Sequence, residues 1–245
     1  MMIVYLLACI SIFACQNCQH YSQDGESEYV YETFFQRPEP KRNGVFLEIG
    51  GLDGVMFSNT LFFENCLGWS GVLIEANPAN FNKLRHNRKS THNLHMAACE
   101  YELTIDFTID GGPIAGSMQH MTNSFLNQYH GGTQPKTVSV YCGPISHQLC
   151  LLGITTIDFM SIDVEGAELE VVRSIDFTRV DVHVIVIEAD NHNPEKNSAV
   201  RSLLVAHGFN LTTDVVKRSD LFVNTFKNRV SQVAHPCKLP SRFVS

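Results

Sequence analysis

Val45-Phe46-Leu47-Glu48-Ile49-Gly50-Gly51-Leu52-Asp53-Gly54 decides the fold. Apolar residues surround a single acid and run straight into glycines. That is the pattern of a buried parallel strand ending in a tight turn before a helix. Gly50, Gly51 and Gly54 remove the Cβ atoms that would hold a ligand off the backbone, and they permit positive φ where the chain reverses. Helix-forming sequence follows, so free backbone N–H groups are predicted to point at whatever occupies the turn. The spacing differs from the dinucleotide fingerprint G-x-G-x-x-G. Glu48 and Asp53 would repel a pyrophosphate, and they suit a ligand that offers a cation or hydroxyls.

Two further strand ends carry acids. Gly71-Val72-Leu73-Ile74 reads as a buried strand terminating in Glu75-Ala76-Asn77-Pro78. Glu75 either receives the ribose hydroxyls of a nucleoside held by the first turn or caps the helix that begins at Pro78. Ile157 to Glu168 repeats the pattern, with Asp163 and Glu165 at the carboxyl end of a central strand, where ligands of open α/β sheets bind. Helix N-cap acids are the structural alternative. Val182 to Ile187 is another apolar strand, followed by Glu188, Asp190 and His192.

Between these landmarks, strands are predicted at Leu94–Ala98, Glu102–Ile109 and Val138–Tyr141. Helices are predicted after Ser58-Asn59-Thr60, after Pro78, over Ile145–Leu152, from Leu169 onward and over Asn197–His207. Gly111 to Pro135 reads as a long loop of the kind that covers substrates. Phe209–Val215 and Asp220–Asn224 read as a final antiparallel pair. The alternation argues for an α/β fold, a doubly wound and mostly parallel sheet.

The bulk properties narrow the function. At 245 residues one domain is the economical reading, and the formal charge is −7. No basic cluster stands out beyond Lys83–Lys89, which excludes a nucleic-acid partner. Ile3 to Ala14 is apolar, too short to span a bilayer and of signal-peptide length. The expected organisation is a signal peptide over 1–18, an extended polar arm over 19–43, a domain over 44–230 and a tail over 231–245. Cleavage after Ala14 or after Cys18 fits equally, and no stable membrane span remains after it.

A secreted or luminal location agrees with the cysteines. Cys66, Cys99, Cys142, Cys150 and Cys237 survive either cut, and disulfides are expected among them. No C-x-x-C pair lies in the body of the chain, so zinc and thioredoxin-like chemistry are not supported. One N-x-S/T sequence, Asn210-Leu211-Thr212, is present, a motif too common by chance to report a compartment.

Together these segments resemble the FkbM-type family of class I S-adenosylmethionine-dependent methyltransferases over about Gly44 to Asn224. Glu48–Gly54 is similar to the family's first motif, Glu75–Asn87 to its E-x-x-P…L-x-x-N segment, and Ile162–Glu168 to its most distinctive run. Glu188 and Leu221-Phe222-Val223 also fit. The resemblance implies a seven-stranded sheet with a reversed last strand and S-adenosylmethionine as cofactor. It places that cofactor against Glu48, Gly50, Gly51, Asp53, Gly54, Asn59, Glu75, Ala76, Asn77, Ala98 and Asp163.

The implied reaction is methyl transfer to an oxygen of a small-molecule or glycan hydroxyl acceptor. Asp163, Glu165, Glu188 and His192 are the catalytic candidates, since a base must reach the hydroxyl proton. The acids also have the donor types for a divalent metal, although none is assigned. A Cys66–Cys99 disulfide across the sheet top is the pairing hypothesis. Animal relatives of this subtype include trafficking proteins that share the fold, which gives the second reading, a secretory binding module.

Overall fold

The computed structural model describes residues 18–109, 112–131 and 133–225. The expected leader over Ile3–Ala14 and the tail over 231–245 lie outside the described residues. In chain order come α1 (Glu26–Val30), continued by a π turn over Tyr31–Phe35, then β1 (Val45–Ile49), α2 (Leu61–Leu67) and β2 (Ser70–Glu75). Next are α3 (Pro78–Asn87), β3 (His92–His95), β4 (Ala97–Ala98), β5 (Leu103–Thr108), α4 (Asn123–His130), β6 (Thr137–Gly143) and α5 (Ile145–Leu151). The chain closes with β7 (Thr156–Ile162), α6 (Glu168–Arg173), β8 (Asp181–Glu188), α7 (Pro194–Ala206), β9 (Phe209–Val216) and β10 (Ser219–Asn224).

Seven strands form one sheet in the order β3-β2-β1-β7-β8-β10-β9. Its strands pair in parallel except around β10, which is antiparallel to both neighbours. The chain-order reversal between β2 on one side of β1 and β7 on the other is the switch point at which such sheets bind ligands. Period-two alternation sorts β1 between two cores. Leu47 and Ile49 face a cluster with Met160, Ile185, Val200 and Leu204. Phe46 faces the other, with Phe63, Trp69, Phe159 and Leu221. Each such side chain, fully buried, contributes about 1.5–3 kcal/mol.

The segment expected as an extended arm is helical instead. Val30 and Phe35 are buried in the second core, where Phe35 meets Trp69 edge-on at 4.9 Å between ring centroids. Its apolar residues are spaced for one helical face, and proline and acid content masked that. Further along, Asp158 accepts from Lys41 Nζ at 2.5 Å and from the Val45 N–H at 2.9 Å, fixing the arm to β7. Against the cost of its burial, His183 first and then Lys41 and the Val45 N–H hold the Asp158 carboxyl down to about 2.

Three other expectations change. The predicted strand Leu94–Ala98 divides at Met96, with β3 joining the main sheet and β4 a second, three-stranded sheet in the order β4-β6-β5. The predicted loop Gly111–Pro135 contains α4, capped by Thr122 Oγ1 accepting from the Phe125 N–H and anchored by buried Phe125. The hypothesised Cys66–Cys99 pair does not form: Cys18 bonds Cys66, and Cys99 bonds Cys142. Cys99 follows β4 and Cys142 lies in β6, so their strand pairing already sets them side by side. Cys150 is disulfide-bonded as well. Among the described residues no helix is long and apolar enough to cross a membrane.

Candidate active site

The turn after β1 is built differently from a phosphate cradle. The Gly50 and Gly51 N–H groups both donate to the Ile74 carbonyl at 3.0 Å, and the Leu52 N–H donates to Glu75 Oε2 at 2.8 Å. These donors, expected free, are spent internally. No helix follows directly either, since α2 begins only at Leu61. Gly50 has φ +86, and a Cβ there would lie 1.7 Å from the Asp163 carbonyl oxygen. Glycine is therefore required for the first and third acid-bearing loops to touch.

Glu48 stands on the Phe46 side of β1, buried at the pocket wall with its carboxylate turned to Arg88. Its oxygens accept from Ser58 Oγ at 2.9 Å, the Asn59 N–H at 2.7 Å and Thr60 Oγ1 at 2.6 Å. Arg88, fully buried, lies 3.6 Å from Glu48 and bonds Glu64 at 2.5 Å. This network fastens the loop 51–60 to the sheet. Asp53 likewise turns inward, accepting from the Val55 and Met56 N–H groups. Gly54 packs against Arg88 and Leu84.

A pocket opens over the carboxyl ends of β1, β2 and β7, with about 1030 Å³ of space continuous with solvent. Of the predicted residues, Glu48, Gly50, Gly51, Asn59, Glu75, Ala76, Ala98, Asp163 and Glu165 line it. Asp53, Gly54, Asn77, Glu188 and His192 are outside the lining. Among the described residues, no Lys or Arg is in the lining.

Glu75 ends β2 with both oxygens directed by backbone, Oε2 to Leu52 and Oε1 to the Asn77 N–H at 2.7 Å. Asn77, not Glu75, caps α3 through the Ala79 and Asn80 N–H groups. Burial raises the Glu75 carboxyl to about 7 despite those bonds. Each oxygen retains acceptor capacity toward the pocket. Asn59 donates to Ser161 Oγ at 2.8 Å, leaving its Oδ1 buried without a partner in the pocket wall.

Asp163 is exposed toward the pocket, with protein packed closely around its carboxyl group. Its pKa rises to about 6, from burial first and the Glu168 charge second. Glu165 and Glu188 rise further, from burial and then from the charge of Asp163. Oxygens of the three lie within 4.8 Å of one another, a spacing for shared protons or a bridging divalent cation. Glu188 lies beside Asp163, and its Oε2 is buried without a hydrogen-bond partner. Glu168 is structural: it accepts from the Val164 and Gly166 N–H groups and pairs with buried Lys196 at 2.5 Å.

His192 lies against α4, 3.3 Å from Ser124 Oγ and edge-on to Phe125. His120, missed in the sequence, lines the pocket instead, bonded to Ser117 Oγ at 3.0 Å. Burial lowers its pKa, which keeps the imidazole neutral near pH 7. Gln23 from the N-terminal segment and the Cys99–Cys142 disulfide also line the pocket. Nothing local in the sequence brings residues 23, 99, 120 and 142 together.

A sheet of this order with a reversed β10, an internally bonded glycine turn after β1 and an acid ending β2 have the architecture of the class I methyltransferase fold. The sequence profile of the methyltransferase FkbM domain matches residues 48–211, more than half of the chain. The chain belongs to that methyltransferase family.

Among solved structures it is similar to methyltransferase FkbM from Methylobacillus flagellatus KT, with 12% identity and a TM-score of 0.49, over 82% of this chain and 48% of that one. It is similar also to a precorrin-6y C5,15-methyltransferase from Geobacter metallireducens GS-15, with 12% identity, a TM-score of 0.43, and 81% and 84% covered. A third is Aeropyrum pernix fibrillarin in complex with natively bound S-adenosyl-L-methionine, with 12% identity, a TM-score of 0.41, and 74% and 66% covered. The chain spans just under half the length of the FkbM structure. No curated protein matches it by sequence.

The family implies S-adenosylmethionine, and the pocket fits it. Glu75 presents a carboxylate to a diol, apolar Ala98 and Met96 flank the space beyond it, and the orphaned Asn59 Oδ1 suits an ammonium donor. The cation-free, acid-rich wall suits a sulfonium.

Proposed function

We propose that the protein is an S-adenosylmethionine-dependent O-methyltransferase acting on a hydroxyl of a small molecule or glycan in the secretory pathway. The observation that carries this is one pocket containing both Glu75 beside the glycine turn and the Asp163–Glu165 loop. When bound, the cofactor supplies an electrophilic methyl carbon for in-line displacement.

Asp163 is the base in this reading. Its pKa is the lowest of the three acids, so it is the one ionised at neutral pH. Glu165 keeps its proton and donates a hydrogen bond that orients the acceptor, and Asp163 releases the proton it takes to solvent through the open pocket. Neutral His120 stands ready as a second proton acceptor on the same wall. With no Lys or Arg in the lining, neutral or cationic acceptors are favoured over phosphorylated or carboxylated ones. Glu48 contributes through the loop it fastens, and His192 has no role at the reacting atoms.

The disulfides favour an oxidising compartment. A leader cut after Ala14 retains Cys18 for its bond to Cys66, whereas a cut after Cys18 removes it. The test is label transfer from methyl-tritiated S-adenosylmethionine to neutral, amino and phosphorylated sugars. Base-stable label on a neutral or amino acceptor, abolished by Asp163→Asn, supports the reading. The cofactor is made in the cytosol, and that favours the second reading, a non-catalytic secretory binding module. Cofactor binding without any transfer would establish it.

A further inference from the structure

We propose that Asn210 carries an N-linked oligosaccharide, an inference that rests on the secretory reading above. The sequence Asn210-Leu211-Thr212 alone is weak, and its placement in the fold supplies what the motif lacks. Phe209 and Leu211 turn into the core beneath α7, so strand alternation sends Asn210 to the opposite face, where it is exposed. On that face the N-terminal segment and α2 cover the central strands. α1 also reaches β9, and Asn210 itself stays exposed.

The strand itself adds a reason for the modification. Among the described residues β9 ends the order of the seven strands and pairs only with β10, so its outer edge presents a row of backbone N–H and C=O groups. Open sheet edges template association unless blunted, and a bulky, hydrated glycan rooted two residues into the strand blunts this one. The site is across the sheet from the pocket, which lies over β1, β2 and β7. A glycan there leaves the pocket open.

Chemically, Asn210 Nδ2 attacks the anomeric carbon of a lipid-diphosphate-linked oligosaccharide, a co-substrate of the host's transferase. The new N–C bond forms as the bond from carbon to the diphosphate oxygen breaks. The amide loses one proton, and the lipid diphosphate leaves with the bonding electrons. No oxidant or reductant enters.

The full chain, expressed in cultured animal cells with its own N-terminus, tests this alongside Asn210→Gln and Thr212→Ala. The expected result is a mobility shift of one glycan, removed by peptide N-glycosidase and absent from both variants, with unchanged thermal unfolding after deglycosylation. Disulfide-bonded protein in the medium whose Asn210 peptide is unmodified would overturn the glycan while sparing the secretory reading. Reduced protein retained in the cytosol would defeat the secretory reading instead. The same chain behind an independent cleavable leader then decides the glycan by the same shift.

Discussion

Gly50 and Asp163 meet backbone to backbone: a Cβ on Gly50 would fall 1.7 Å from the Asp163 carbonyl oxygen, and the Asp163 N–H donates to Ile49 at 3.0 Å. The cofactor turn and the acid loop are thus one rigid unit. Gly50→Ala must both relieve this overlap and adopt φ +86, so the loops separate. It is expected to lower stability by about 2–4 kcal/mol, the range of strain plus lost packing. Loss of cofactor binding should accompany it, read by thermal unfolding with and without S-adenosylhomocysteine.

Glu48 separates a structural from a binding role. Its carboxylate is taken up by Ser58, Asn59, Thr60 and Arg88. Removing Arg88 strands buried Glu48 and half-buried Glu64, and Arg88→Ala should cost about 3–5 kcal/mol. Glu48→Gln should destabilise less and leave cofactor affinity nearly unchanged once the protein is folded. Denaturant unfolding beside calorimetric titration checks both.

The buried acids predict a pH dependence of stability. Folded-state values of Glu75 and Asp163 are raised, to about 7 and about 6, and those of Glu165 and Glu188 are raised further. Raised acids favour the folded state while protonated. Their contribution is full below their unfolded values near pH 4, and it is lost as pH climbs through 6 and beyond. Asp158, held near 2, acts oppositely and matters only in strong acid. Denaturation midpoints in chelating buffer should fall from pH 5 to pH 9, and Glu165→Gln should flatten the slope.

The Cys99–Cys142 disulfide is both staple and pocket wall. Paired Cys99→Ser and Cys142→Ser changes should cost about 2–4 kcal/mol and weaken cofactor binding as well. Cys18→Ser with Cys66→Ser should cost stability with a smaller effect on affinity, because neither lines the pocket.

Most of the fold was legible because strand ends announce themselves. Apolar runs stopping at Gly50, Glu75, Asp163 and Glu188 set the parallel strands, and Gly208 marked the end of α7. The site was legible where chemistry sat on those ends. It was illegible where distant segments converge: Gln23, His120 and the Cys99–Cys142 bond reach the pocket through tertiary packing alone. Glu48 misled for a different reason. Its place beside the glycines suggested a ligand, while strand alternation turned it toward Arg88, a partner forty residues away. The helix over Asn123–His130 was hidden by glycines flanking a short apolar face.

The central claim is a cofactor site organised by Glu75. The decisive measurement is calorimetric titration of the oxidised chain, Cys18 included, with S-adenosylmethionine and S-adenosylhomocysteine, using NAD as control. Micromolar binding of the first two alone is expected, weakened at least tenfold, or about 1.4 kcal/mol, by Glu75→Gln in a variant that remains folded. A folded protein that binds neither at millimolar ligand, or whose affinity ignores Glu75, would contradict the account.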